Sequence, residues 1–179
     1  KNRAWKVRLL GLSILFAPIV SNAELPVGST PKTITLQGEL GKLVDGGGPW
    51  KSDRFKGYVT ILFYLDPDES DMNNAASEAL KNADLPSDQV RSVAVINMDA
   101  TLLPNFLIQG KLEDKQKEYQ NTLYVMDYKK VLVNEWGLGD HNNDIVIFDK
   151  QGKVLFSVDG QLNDSQIKQM LAAVKSGFN

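Results

Sequence analysis

Residues Tyr58 to Leu65 read YVTILFYL, and seven of these eight side chains are apolar or aromatic. A strand that is apolar on both faces belongs inside a sheet covered on both sides. The segment ends at Asp66-Pro67-Asp68-Glu69-Ser70-Asp71, a polar break. Beyond it Met72, Ala75, Ala76, Ala79, Leu80 and Ala83 recur at three- and four-residue spacing, the stripe of an amphipathic helix. Val90 to Ile96 (VRSVAVI) then reads as a second buried strand. Strand, helix and strand make a βαβ unit, whose crossover is right-handed almost without exception.

The rest of the chain extends this pattern. Thr33 to Gln37 reads as a short strand, turned by Gly38-Glu39-Leu40-Gly41 toward a hairpin partner at Lys42 to Val44. Gly46-Gly47-Gly48-Pro49 is a flexible break. Pro104 to Tyr119 predicts a second helix with Ile108, Leu112 and Tyr119 inward, weakened at Gly110 by about 1 kcal/mol relative to Ala. Leu123 to Met126 predicts a third strand, and Lys129 to Trp136 is helical or extended. Ile145 to Phe148 and Val154 to Val158 flank Asp149-Lys150-Gln151-Gly152, a hairpin signal. Asn163 with Gln166 predicts a capping box at the last helix, and Leu162 with Ile167 its hydrophobic staple. Ile167, Met170, Leu171 and Val174 are its buried stripe. Strands alternating with helices mean a layered α/β domain. A final hairpin followed by a packed helix is the second half of the thioredoxin plan, here with an N-terminal hairpin extension.

The first 23 residues follow different rules. Lys1, Arg3, Lys6 and Arg8 form a basic stretch, Leu9 to Val20 an apolar run, and Ser21-Asn22-Ala23 a small-residue cleavage pattern. That is a secretory leader, and its 12-residue run falls short of the roughly 20 residues that span a bilayer. Cleavage is expected after Ala23, with export to the periplasm and no stable membrane anchor afterwards. The remaining 156 residues, 24 to 179, suit a single domain. The leader holds four of the 20 bases and none of the 22 acids, so the mature part carries 16 bases against 22 acids, a net charge of −6. That balance disfavours nucleic acid, whose binding depends on phosphate neutralisation. There is no cysteine. Its absence excludes disulfide exchange, thiolate catalysis and thiolate-bound metal.

The chemistry-bearing residues are few. Asp66, Asp68, Glu69 and Asp71 are the densest acidic cluster, and carboxylates are the ligands of hard cations. An EF-hand fits poorly, since Asp71 falls where glycine is needed and Ser77 where the final glutamate is needed. Acids at a helix start also serve as caps and complement its dipole. The one histidine, His141, lies in Gly139-Asp140-His141-Asn142-Asn143-Asp144 and cannot by itself build a histidine-rich zinc site. No G-x-S-x-G and no phosphate-binding glycine loop occurs. Trp50 and Trp136 are expected to pack in the core. No cofactor is expected.

Several pieces now carry a resemblance: Trp50-Lys51-Ser52 with Phe55-Lys56-Gly57, Asn82-Ala83-Asp84-Leu85-Pro86 with Asp88, and Ile96-Asn97 with Asp99. Trp136 with Leu138, Asp149-Lys150-Gln151-Gly152-Lys153-Val154, and Asp159-Gly160-Gln161-Leu162 complete the set, in order over most of the mature chain. With these the chain resembles the YtfJ family, small bacterial periplasmic proteins with a thioredoxin-like fold and no settled function. The resemblance implies a fold and a compartment but no reaction. In redox-active thioredoxin-like proteins a CxxC motif follows the first core strand, and the matching stretch here is Asp68-Glu69-Ser70-Asp71. Their cis-proline matches about Asn143, where a cis bond would cost roughly 2.5–4 kcal/mol, so trans is expected.

On that scaffold the loop carrying His141 faces the start of the first helix. The expected function is therefore a redox-inactive binding or accessory module. Its binding edge is Asp68, Glu69, Ser70, Asp71, His141 and Asn143, and its partner an unidentified periplasmic protein or small ligand. The alternative is a metal-dependent or carboxylate-based enzyme using the 66–71 loop, with Asp66, Asp68 and Asp71 as ligands.

Overall fold

The computed structural model describes residues 24–178, so the expected leader, its cleavage point after Ala23 included, lies outside the described residues. The apolar segment forms β4 (Val59–Leu65) at the heart of a six-stranded mixed sheet. On one side it pairs in parallel with β5 (Val90–Asn97), which pairs in parallel with β6 (Thr122–Asp127). On the other side it pairs antiparallel with β7 (Asn143–Phe148), which forms a hairpin with β8 (Val154–Asp159). A short strand, β2 (Gly41–Leu43), closes the far edge antiparallel to β6.

Three layers follow from the alternation of side chains along each strand. Val59, Ile61, Ile145 and Ile147 point to one face, under Ala76 of α1 (Asn74–Lys81) and Met170 and Val174 of α4 (Asp164–Ser176). Ala94, Ile96 and Met126 are covered by Ile108 and Leu112 of α2 (Asn105–Glu118). The crossovers β4–α1–β5 and β5–α2–β6 step the same way along the sheet, and equal-handed crossovers in one direction put both helices on one face. Leu62, Tyr64, Val93, Val95, Val125 and Val146 point to the other face, against Leu132 and Trp136 of α3 (Val131–Trp136) and the N-terminal segment. Among the described residues no helix is long and apolar enough to cross a membrane.

The N-terminal pairing differs from the hairpin expected between 33–37 and 42–44. β1 (Thr35–Leu36) pairs with β3 (Trp50–Lys51), while 41–43 joins the main sheet as β2. Leu36 and Trp50 are 0% and 2% exposed, and bringing these two large side chains into one core outweighs the tighter turn. Tyr119, expected inward, follows the end of α2 and is 49% exposed. Both tryptophans do pack: Trp136 lies 5.9 Å from Phe148 and donates Nε1–H to the Lys32 carbonyl at 2.9 Å. The capping box forms as expected, with the Gln166 amide donating to the Asn163 side chain at 2.9 Å and the Gln166 side chain accepting from the Asn163 amide at 3.0 Å.

β2 can approach β6 because residue 41 has no side chain. A Cβ there would run into the carbonyl oxygen of Met126, a backbone atom fixed by the ladder. Gly41→Ala is therefore expected to lower stability by about 2 kcal/mol in urea unfolding. Gly110→Ala, with open space around its new methyl, should raise it by up to about 1 kcal/mol.

Candidate functional site

The parallel strands β4, β5 and β6 end where β7 begins and β8 finishes, so five chain ends meet at one edge of the sheet. Eight polar or charged residues are buried in the described chain, and six of them, Asp66, Asn73, Asn97, Asp127, Asn143 and Asp144, gather here. Buried polar groups persist when their hydrogen bonds are made, and these are made to one another and to the loops.

The two loops singled out from sequence are tied together. The Asp66 amide donates to the Asn142 carbonyl at 2.8 Å. The Asp66 carboxylate accepts from the Asp68 amide at 2.8 Å and lies 3.3 Å from His141 Nδ1. Asp66 is buried while the His141 side chain is 64% exposed, with its backbone left-handed at φ 57°. Such a conformation is uncommon for a residue with a Cβ, and the bonds through Asp66 hold it. Asn143 donates Nδ2–H to the Glu69 carbonyl at 3.2 Å. Asn73, at the start of α1, donates to Asn143 and, at 3.0 Å, to the Gly160 carbonyl, and it accepts from the Leu162 amide at 2.9 Å. One amide thus joins α1, β7, the end of β8 and the lead into α4.

The face covered by α3 supplies a second polar set. Asp127 accepts from the amides of Lys129, Val131 and Leu132 at 3.2, 2.9 and 3.1 Å, and from Tyr64 Oη at 3.3 Å. It therefore caps the start of α3. Burial pushes its carboxyl up, against the pull of those amide bonds. Burial and then the Asp127 charge push the Tyr64 hydroxyl up. Asn97 Nδ2 and Lys130 Nζ donate to Asp140 at 2.9 and 2.8 Å, and Lys130 also lies 3.7 Å from Asp99. Burial would raise Asp140, but the bonds from Lys130 and Asn97 hold it below the usual carboxylate range.

The densest buried charge is at the β7–β8 end. Asp144 stands across from Asp159 in the ladder. It is fully buried and accepts the Gly139 amide on both oxygens at 3.2 and 3.1 Å. Burial first, then Asp159 and Glu24, push it up to about 8. Burial and Glu24 also raise Asp159, while Asp144 and Asn142 act to lower it. Asp144 is thereby held as the neutral acid at neutral pH.

Of the residues expected from sequence, the structure brings Asp66, Glu69, His141 and Asn143 together through side chains or backbone. Asp68, Ser70 and Asp71 stay exposed on the same loop. Among the described residues no group of three or more histidines, cysteines or carboxylates is placed to hold an ion. The Asp66 carboxylate accepts from the Asp68 amide and faces His141. No peptide bond among the described residues is cis. Sequence reasoning missed Asn73, Asn97, Asp127 and the Asp144–Asp159 pair. A signal existed for the last, because the two aspartates flank the outer ends of the expected hairpin strands.

Comparison with known proteins follows the same lines. The E. coli (strain K12) uncharacterized protein YtfJ is 27% identical over 172 residues, covering 92% of this chain and 94% of that one. An uncharacterized protein of Haemophilus influenzae is 28% identical over 145 residues, covering 76% and 78%. Among solved structures, the thioredoxin domain of a thiol-disulfide oxidoreductase from Bacteroides vulgatus superposes with a TM-score of 0.60 at 18% identity, over 87% of this chain and 99% of that one. BsSco, of the Sco family of cytochrome c oxidase assembly proteins, does so with a TM-score of 0.57 at 15% identity, over 85% and 95%. At such identities the likeness shows the thioredoxin-like fold alone. Residues 41–177 match the family described as "Bacterial protein of unknown function (YtfJ_HI0045)", and the chain belongs to that family.

Proposed function

We propose that the chain is exported to the periplasm, loses residues 1–23, and works there as a redox-inactive accessory module. It takes a partner or small ligand at the edge formed by Asp68, Glu69, Ser70, Asp71, His141 and Asn143. The observation that carries this reading is the contrast at that edge. Buried Asp66, Asn73 and Asn143 fix the two loops to each other, and Asp68, Ser70, Asp71 and His141 are left presented to solvent. A site on a rigid polar frame at the carboxyl ends of parallel strands is a common placement in open α/β sheets.

Among the described residues no lysine or arginine pairs with Asp68, Glu69 or Asp71. A partner carrying basic groups matches that surface. With no cysteine in the chain, no mixed disulfide can form on it, so binding there is non-covalent.

Two measurements test the reading. The protein recovered from a periplasmic fraction should begin at Glu24 on N-terminal sequencing, and recovery only with the cytoplasm would end the export claim. The purified chain should not reduce insulin above the rate of dithiothreitol alone. A catalysed rate that survives repurification would end the redox-inactive claim.

A further inference from the structure

The start of the mature chain is tied to β8. The Gly28 amide donates to the Val154 carbonyl, and the Val154 amide to the Ser29 carbonyl, each at 2.8 Å. Farther back in the chain, the Leu25 amide donates to Ser157 Oγ at 2.9 Å, and Leu25 is buried in the core of the face covered by α3. Moving back from Ser29 to Leu25 thus means moving forward from Val154 to Ser157, an antiparallel course. Residue 24 comes next on the segment. Asp159 comes next on that face of β8, since alternate residues of a strand share a face.

Asp159 stands there opposite the buried Asp144, and the Glu24 carboxylate acts on both. Tyr64 faces Asp144 from β4, with Asp127 and Asp140 beyond it. Every one of these groups is neutral or negative. The nearby basic side chains are committed elsewhere: Lys130 pairs with Asp140 and Asp99, and His141 faces Asp66. Among the described residues no lysine, arginine or histidine pairs with Asp144 or Asp159.

We propose that the α-ammonium group created at Glu24 by cleavage after Ala23 is the counter-ion of the Asp144–Asp159 pair, so that removal of the leader completes the electrostatics of the folded edge. The proposal rests on the export reading for its cut site. Before the cut, residue 24 presents an uncharged peptide N–H and the Glu24 carboxylate to buried Asp144 and half-buried Asp159. Hydrolysis of the Ala23–Glu24 peptide bond by water leaves a carboxylate on the departing leader and an ammonium on Glu24. An ordinary α-amino group titrates at about 7.7–8.0, and an adjacent carboxylate raises that value. The folded value being the higher, the stabilisation is fully present below the unfolded pKa and is lost as pH rises through the folded one.

The test compares two forms of the 24–179 chain, one with a free N-terminus and one acetylated on Glu24. This chain contains all three core clusters, whose members lie between residues 25 and 178, and should fold unaided. In NMR titration the free amine should titrate about one unit above its peptide value. The free form should melt at a higher temperature than the acetylated form at pH 6.5 and at the same temperature at pH 10. Asp159→Asn should abolish both differences. An unshifted amine with equal melting at pH 6.5, or differences that survive Asp159→Asn, would overturn the counter-ion. Because Glu24 is the first residue by preparation, these results do not depend on where the cell cuts. Sequencing of the native protein reads that separately, and a different native first residue would sink the cleavage reading.

Discussion

Replacing Asp127 by alanine should cost about 3 kcal/mol of stability, among the largest losses expected from any polar substitution in the chain. Three backbone amides and the Tyr64 hydroxyl would lose their acceptor at once. Leu132 is fully buried, so water cannot readily replace the carboxylate there. A buried donor left without an acceptor costs about 1–3 kcal/mol, and the start of α3 loses its cap, worth typically about 1 kcal/mol. Tyr64→Phe removes one partner from the same carboxylate and should cost about 1 kcal/mol. Urea unfolding at pH 7 measures both. A loss under about 1 kcal/mol for Asp127→Ala would mean that α3 does not depend on this carboxylate.

Asp144→Asn should have the opposite sign. Burial first, then its acidic neighbours, push Asp144 up to about 8 in the folded protein, against about 3.9 for an unperturbed aspartate. Between those values the native state binds the proton and the unfolded state does not, so this group's contribution to stability is complete below about pH 3.9 and falls as pH rises toward about 8. At 1.36 kcal/mol per unit the ceiling is about 6 kcal/mol, and relaxation around the buried group reduces it. Asparagine keeps an acceptor for the Gly139 amide and, like the protonated acid, offers a donor to Asp159. The variant should therefore match the parent near pH 4 and exceed it by about 2 kcal/mol at pH 8. Urea midpoints between pH 4 and 9 decide it. A constant gap between the two chains across that range would remove Asp144 as the titrating group.

These two residues mark where the sequence was readable and where it was not. β4 was legible because both of its faces are apolar, and α4 because capping box, staple and stripe agree within a dozen residues. The βαβαβ order followed from periodicity alone. The β1–β3 pair was not legible: the competing 42–44 segment is nearer in sequence, and what decides the matter is that Leu36 and Trp50 enter one core while Gly41 admits β2 to the main sheet. At the site, the 66–71 and 139–144 loops stood out by composition, and placing them together needed only the fold. Asp127 and Asn73 did not stand out. A single aspartate after a strand and a single asparagine before a helix are common, and their importance comes from partners up to 89 residues away, as between Asn73 and Leu162.

The central claim is that a scaffold without thiols uses this edge to hold a partner. Site-specific photo-crosslinking in living cells tests it most directly. A photoreactive side chain is placed in turn at Asp68, Asp71 and His141, and for comparison at Gln151 in the β7–β8 turn, at the opposite end of the sheet. The account predicts a discrete adduct from the three edge positions and none from Gln151, with the adduct weakened when the remaining edge acids are changed to alanine. Adducts from Gln151 alone, or equal yields from both ends, would contradict it.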